Sequence, residues 1–136
     1  MAFEPRFRNT VRVRYGECDQ QGVVFNAHYL AYVDDTLERW MHEVPNLRDL
    51  GWDMMLKRAE IVWHGSARSG ETLDIDAAVT RWGNTSWEVA FLGAVDGAAI
   101  FVATVLYVSV VLDELTPMTT PAEVIAAFGA ACDPPV

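Results

Sequence analysis

The sequence predicts an α+β domain in which an antiparallel sheet wraps around one long helix, and three observations carry that prediction. A single stretch with helical period runs from Asn26 to about His42. After Ala59 the pattern changes to apolar and polar residues in alternation, in consecutive runs joined by short turn signals. With only one long helix, both faces of a parallel sheet cannot be covered, so the strands are expected to pair antiparallel and close on that helix.

The first strand is expected at Thr10–Tyr15, where Val11, Val13 and Tyr15 alternate with polar neighbours as one buried face requires. Gly16 ends it. In the turn Glu17-Cys18-Asp19-Gln20-Gln21-Gly22, the glycine supplies a backbone angle or a close approach that a side chain forbids. Asn26 suits an N-cap and opens a helix of about 16 residues that stops before Pro45. Leu30, Val33, Leu37, Trp40, Met41 and Val44 share one face of it, with Asp34, Asp35, Glu38, Arg39 and Glu43 mostly elsewhere. Residues 46–57 read as a short helical turn interrupted at Gly51. Ile61 and Trp63 begin the next strand, and Leu73, Ile75, Ala77 and Val79 alternate after the turn at Ser69-Gly70-Glu71. Trp87, Val89 and Phe91 continue the alternation beyond Gly83-Asn84, and Asp96-Gly97 is a hairpin signal. Ile100–Leu112 reads as a long strand buried on both faces over much of its length, because β-branched residues dominate and alternation fades. Pro117 stops it. Thr120 as N-cap, with Pro121 at the first helical position, starts a short C-terminal helix through Phe128 that Gly129 closes.

A chain of 136 residues with 51% hydrophobic content fits a single domain, 1–136, with a core of its own. The opening MAFEPRFRNT has no apolar h-region. The run Ala98–Leu112 is broken by Thr104 and Ser109 and falls short of about 20 spanning residues, so a soluble cytoplasmic protein without membrane insertion is expected. Cys18 and Cys132 make neither a disulfide framework nor a metal-ligand spacing. A formal charge of −9 with a single lysine, Lys57, offers no basic face to a nucleic acid.

The chemistry concentrates in Tyr15–Trp40. An acid-bearing turn feeds a helix start, where backbone amides lack partners within the helix, so a carboxylate and a carbonyl-polarising donor share one small space. Asp19-Gln20-Gln21-Gly22-Val23-Val24-Phe25-Asn26, followed by Tyr29, Tyr32 and Asp34, resembles the signature of hotdog-fold acyl-CoA thioesterases of the 4-hydroxybenzoyl-CoA thioesterase type, including relatives associated with the Tol-Pal system. Those proteins carry D-x-x-G-x-V, an aromatic, and Y-x-x-aromatic-x-acid on the helix. Their β-α-β-β-β-β order matches the order read above over nearly the whole chain.

The resemblance implies that Asp19 is the catalytic carboxylate, as nucleophile on the thioester carbonyl or as general base for water. It implies that the backbone amide of Asn26 polarises the carbonyl oxygen, with Gly22 keeping the turn tight. A donor in such a position is typically worth about 2.7–4 kcal/mol of barrier. It implies an acyl-CoA substrate with an aromatic or short acyl group, no metal and no cofactor beyond the CoA of the substrate, and a homodimer or homotetramer with the site between subunits. Edge-strand physics points to the same assembly. Relatives of the Tol-Pal branch often carry histidine where Asn26 stands. Here His28 comes two positions later, about 200° round a helix, and no role passes to it.

Each residue also has a plainer reading. Asp19 alone would be a solvated turn aspartate, and Glu17 a surface acid or a like charge that raises the pKa of Asp19. Cys18 near a helix start invites a thiolate reading without an evident histidine partner. His28, His42 and His64 lack zinc-site spacing. Phe25, Tyr29, Tyr32, Trp63 and Trp87 each fit a core or the lining of an acyl pocket, and Phe25 and Tyr29, which flank the reaction centre, are the better candidates for the pocket. Asp34, Asp35 and Glu38 form a solvated or subunit-facing surface, of which Asp34 matches the family's acidic position. Arg68 and Arg81, with Lys57 and Arg58, are candidates for CoA phosphates, since a guanidinium fork suits phosphate oxygens. Two other classes stay open. A hydratase or dehydratase on acyl thioesters would want a histidine near the acid, and an acyl-thioester-binding module would keep the pocket without turnover.

Overall fold

The computed structural model describes residues 2–136. Strand β1 (Phe7–Arg12) leads through a 3-10 turn at Tyr15–Glu17 to helix α1 (His28–Glu43). A second 3-10 turn, Leu47–Leu50, precedes β2 (Trp52–Trp63), β3 (Thr72–Trp82), β4 (Ser86–Val95) and β5 (Ala98–Val111), and helix α2 (Ala122–Phe128) follows. All five strands join one antiparallel sheet in the order β1-β3-β4-β5-β2. This is the expected α+β arrangement, a sheet closed around one long helix with a short helix at the C-terminus.

Alternation decides which side chains face α1. Leu73, Ile75, Ala77 and Val79 of β3, Trp87, Val89 and Phe91 of β4, and Phe101, Ala103, Val105 and Tyr107 of β5 are buried against Tyr29, Tyr32, Val33, Leu37 and Trp40 of the helix. Each large apolar side chain removed from water in this way contributes about 1.5–3 kcal/mol. Helix α2 closes one end, with Phe128 edge-on to Trp40 at 4.8 Å and beside Trp87 at 5.2 Å. Asp96 and Gly97 both have positive φ, 49° and 80°, as a two-residue primed hairpin requires. At Gly93 the ring of Phe101 lies directly on the backbone of β4, so any Cβ there would collide with it.

Several expectations shift. β1 covers Phe7–Arg12, and Tyr15, expected on its buried face, is 87% exposed because the chain has already turned into the 3-10 segment. Helix α1 starts at His28 with Ala27 in the capping position, and Asn26 caps nothing with its side chain. The buried stripe of α1 includes Tyr29, Tyr32 and Thr36, while Leu30, Met41 and Val44 are half-buried. Only Leu47–Leu50 forms the helical turn anticipated over 46–57. Gly51 ends it in the left-handed conformation, and Trp52–Lys57 already belong to β2. β5 is buried on both faces only near its ends, at Ile100-Phe101 and Ser109-Val110, and between them on the helix side alone. Val102, Thr104, Leu106 and Val108 are half-buried on an outer face. Thr120 does not cap α2, because its hydroxyl shares a 2.7 Å hydrogen bond with the hydroxyl of Ser109 and Pro121 takes the capping position.

Candidate active site

The turn that carries Asp19 is a small hairpin tied off by the backbone. The amide of Asp19 donates to the Val23 carbonyl (2.9 Å), that of Gly22 to the Asp19 carbonyl (3.0 Å) and that of Phe25 to the Glu17 carbonyl (3.0 Å). The hairpin rests on the segment before β3, with the Val24 amide donating to the Ala67 carbonyl at 2.9 Å and Val23 bridging to Arg68. Gly22 has φ +79°, and a Cβ there would meet nothing within 4 Å, so the angle rather than a close approach calls for glycine.

Asp19 is exposed at the tip. One carboxylate oxygen accepts from the amide of Gln21 at 2.8 Å, and the other has no partner among the described residues. Asn26 follows the hairpin. Its carbonyl accepts from the Tyr29 amide at 3.3 Å, while its own amide and that of Ala27 donate to nothing among the described residues. These are the orphan donors that any helix start leaves.

Glu17 departs furthest from its plain reading as a surface acid. Its carboxylate accepts from the Tyr32 hydroxyl (2.9 Å) and the Arg14 amide (2.9 Å), and the other oxygen lies 3.1 Å from Nε2 of His28. Partial burial raises its pKa, but the donors from Arg14, Tyr32 and His28 outweigh that and hold it below the ordinary value. The carboxylate therefore fastens the segment just before Asp19 to the first turn of α1, and it explains where His28 and Tyr32 point. Neither partner is a sequence neighbour, which is why the tie has no local signature.

The expected acyl-pocket residues part company. Phe25 is 56% exposed beside the hairpin. Tyr29 is only 1% exposed, packed edge-on against Phe101 at 5.3 Å, and its hydroxyl accepts from the Ala67 amide at 3.1 Å, so within this chain it is a core residue. The arginines part too. Arg68 adjoins the hairpin through its backbone bridge to Val23. Arg81 lies at the far end of β3 from Thr72, nine residue steps or about 30 Å away, and both Arg81 and Arg58 pair with Glu88, at 3.4 and 3.2 Å. Lys57 is exposed where the pairing of β2 with β5 shifts register. Among the described residues no three His, Cys, Asp or Glu side chains come together as a metal site.

Two grooves flank α1. A groove of about 880 Å³ runs along its C-terminal half, walled by Leu37, Met41, Met54, Leu56, Tyr107 and Asp34. Burial against that wall raises the pKa of Asp34, and the Tyr107 hydroxyl is buried without a hydrogen-bond partner among the described residues. None of its lining residues belongs to the Asp19 hairpin, so size alone does not make it the reaction centre. A smaller groove of about 360 Å³ lies between β1 and α1 and ends at Glu17 and His28, with Arg12, Arg14 and Arg39 along it.

Residues 13–128 match the model of the thioesterase-like superfamily. No curated protein matches the sequence. Among solved structures, the chain is similar to a thioesterase-superfamily protein of Jannaschia sp., with 23% identity, a TM-score of 0.85 and coverage of 94% of this chain and 95% of that one. It is also similar to a 1,4-dihydroxy-2-naphthoyl-CoA thioesterase of Synechocystis, with 19% identity, a TM-score of 0.77 and coverage of 90% and 94%. A probable thioesterase of Bartonella henselae matches at 19% identity with a TM-score of 0.76, over 84% of this chain and 98% of that one. With the match extending from the end of β1 through α2, this chain belongs to the thioesterase-like superfamily.

Proposed function

We propose that the protein hydrolyses an acyl-CoA thioester to the free acid and CoA, with the Asp19 hairpin as its reaction centre. The observation that carries this reading is the pairing of an exposed carboxylate with a free oxygen, held in a backbone-closed turn, and unpartnered amides at Asn26 and Ala27 where that turn enters α1. As the thioester carbon is attacked its oxygen gains charge, and amide donors without a partner of their own are the groups that would take it up.

Two routes use the same atoms. In one, an Asp19 oxygen bonds to the carbonyl carbon, the C–S bond breaks, the thiolate takes a proton, and water then hydrolyses the mixed anhydride. In the other, Asp19 accepts a proton from a water that attacks the carbon, and the C–S bond breaks as the tetrahedral intermediate collapses. Phe25 is the aromatic placed to touch an acyl group entering there. We further propose that two copies join along β2, which pairs with β5 on one side and, among the described residues, with no strand on the other.

Thiol release measured over aromatic, short-chain and long-chain acyl-CoAs tests the activity, and Asp19→Asn tests the centre. The expected result is turnover of at least one class by the wild type and a fall in kcat of about a hundredfold or more in the variant. No release from any acyl thioester would overturn the hydrolase reading, and undiminished release by Asp19→Asn would move the centre elsewhere.

A further inference from the structure

A chain with a net charge of −9 repels a polyanionic thioester carrier at long range, so recognition requires cations that are not already neutralised. The chain's nine arginines divide sharply. Arg8 pairs with Asp76 at 2.7 Å, Arg39 with Asp35 at 3.0 Å, Arg48 with Asp53 at 3.8 Å, and Arg58 and Arg81 with Glu88. Among the described residues the other four, Arg6, Arg12, Arg14 and Arg68, make no ion pair.

Three of those four sit on the segments that hold the Asp19 hairpin. Arg12 and Arg14 flank Val13, whose amide donates to the Glu71 carbonyl at 2.9 Å and whose carbonyl accepts from Gly70 at 2.8 Å, and Arg68 bridges to Val23. Arg6 lies instead beside Gly129, past the end of α2. The groove between β1 and α1 contains two carboxylates, but neither is available to Arg12 or Arg14. Glu17 is engaged by Arg14's backbone amide, Tyr32 and His28, and Asp35 accepts from Arg39 and Asn9. The guanidiniums without an ion-pair partner are therefore grouped beside the reaction turn, although the Glu71 carboxylate, which accepts from the Arg68 amide at 2.6 Å, and Asp19 itself lie at the same end.

We propose that Arg12 and Arg14, in the groove between β1 and α1, together with Arg68 across the hairpin, bind a phosphate of the thioester's carrier. This rests on the reading of the Asp19 hairpin as a thioesterase centre, and it assigns the phosphate contact to that end of the sheet rather than to Arg81 and Arg58. Guanidinium forks match phosphate oxygens in pairs, and exposed forks with no carboxylate to leave give up little when they bind. The phosphate can belong to the nucleotide of CoA or to the phosphopantetheine arm that CoA shares with acyl carrier protein.

Calorimetric titration separates these without requiring turnover. CoA, 4′-phosphopantetheine and phosphate-free pantetheine are titrated into wild type, Arg12→Gln/Arg14→Gln, Arg68→Gln and Arg6→Gln. The expected result is CoA affinity at least tenfold weaker in the Arg12/Arg14 and Arg68 variants, within twofold of wild type in Arg6→Gln, and pantetheine affinity equal in all four. If 4′-phosphopantetheine repeats the loss, the phosphate read is that of the arm, and if only CoA shows it, that of the nucleotide. CoA affinity unchanged by the substitutions, a loss equal for pantetheine, an equal loss in Arg6→Gln, or no CoA binding by the wild type would each overturn the assignment. Thiol release by the wild type decides the hydrolase reading separately.

Discussion

At Glu17 one carboxylate receives three donors and so joins two segments that the chain itself connects only through a loop. Its depressed pKa makes the consequence measurable. A carboxylate held below its ordinary value of 4.5 contributes stability that is fully present above that value and is lost as the pH falls through the lower, folded one. Denaturation midpoints followed from pH 7 down to pH 3 should therefore fall more steeply for wild type than for Glu17→Gln, and parallel curves would remove Glu17 from this role. At Gly22 the issue is backbone conformation. With φ +79° and open space around the missing Cβ, Gly22→Ala should cost about 1–2 kcal/mol by denaturant unfolding, from the left-handed backbone alone. Tyr107 runs the other way. Its hydroxyl is buried with no partner among the described residues, so Tyr107→Phe should leave the melting temperature unchanged or higher, and a clear fall would mean the hydroxyl has a partner in solution.

Among the elements, β1 and α1 are held together by more than apolar contact. The amide of Asn9, buried on β1, donates to the side chains of Asp35 and Thr36 at 3.1 Å each. Asn9→Ala should destabilise the fold by about 1–3 kcal/mol, since it strips a donor from the buried Thr36 hydroxyl as well as from the half-exposed Asp35 carboxylate, and a loss below about 0.5 kcal/mol would show that water replaces it. The elements also show what a sequence can disclose. β3 and β4 were legible because each has one wet and one dry face, which writes period two into Leu73–Val79 and Trp87–Phe91. The first half of β2 was not, because an edge strand that the helix leaves partly uncovered is under little pressure to alternate, and Met54, Met55 and Leu56 read equally well as a helical turn. The Asp19 hairpin was visible as a motif, and its glycine as a turn requirement. The tie through Glu17 was not, since Tyr32 and His28 stand 15 and 11 residues away and meet it only once α1 is docked.

For the whole molecule, the side of β2 away from β5 leaves Leu56, Val62 and Trp63 exposed along an open edge. Sedimentation should give at least a dimer for wild type, and Val62→Lys, which sets a charge at that edge in each copy, should shift it toward monomer. An unshifted mass would place the contact elsewhere.

The contact between Gly93 and Phe101 reaches further than packing. Phe101 bears on Tyr29, the Tyr29 hydroxyl accepts from the Ala67 amide, and the Ala67 carbonyl accepts from the Val24 amide inside the Asp19 hairpin. A methyl group added toward the C-terminal end of β4 therefore acts as a wedge at one end of a linkage whose other end is the Asp19 hairpin. Gly93→Ala is accordingly expected to lower kcat for a substrate it never approaches, through a displacement handed from ring to ring.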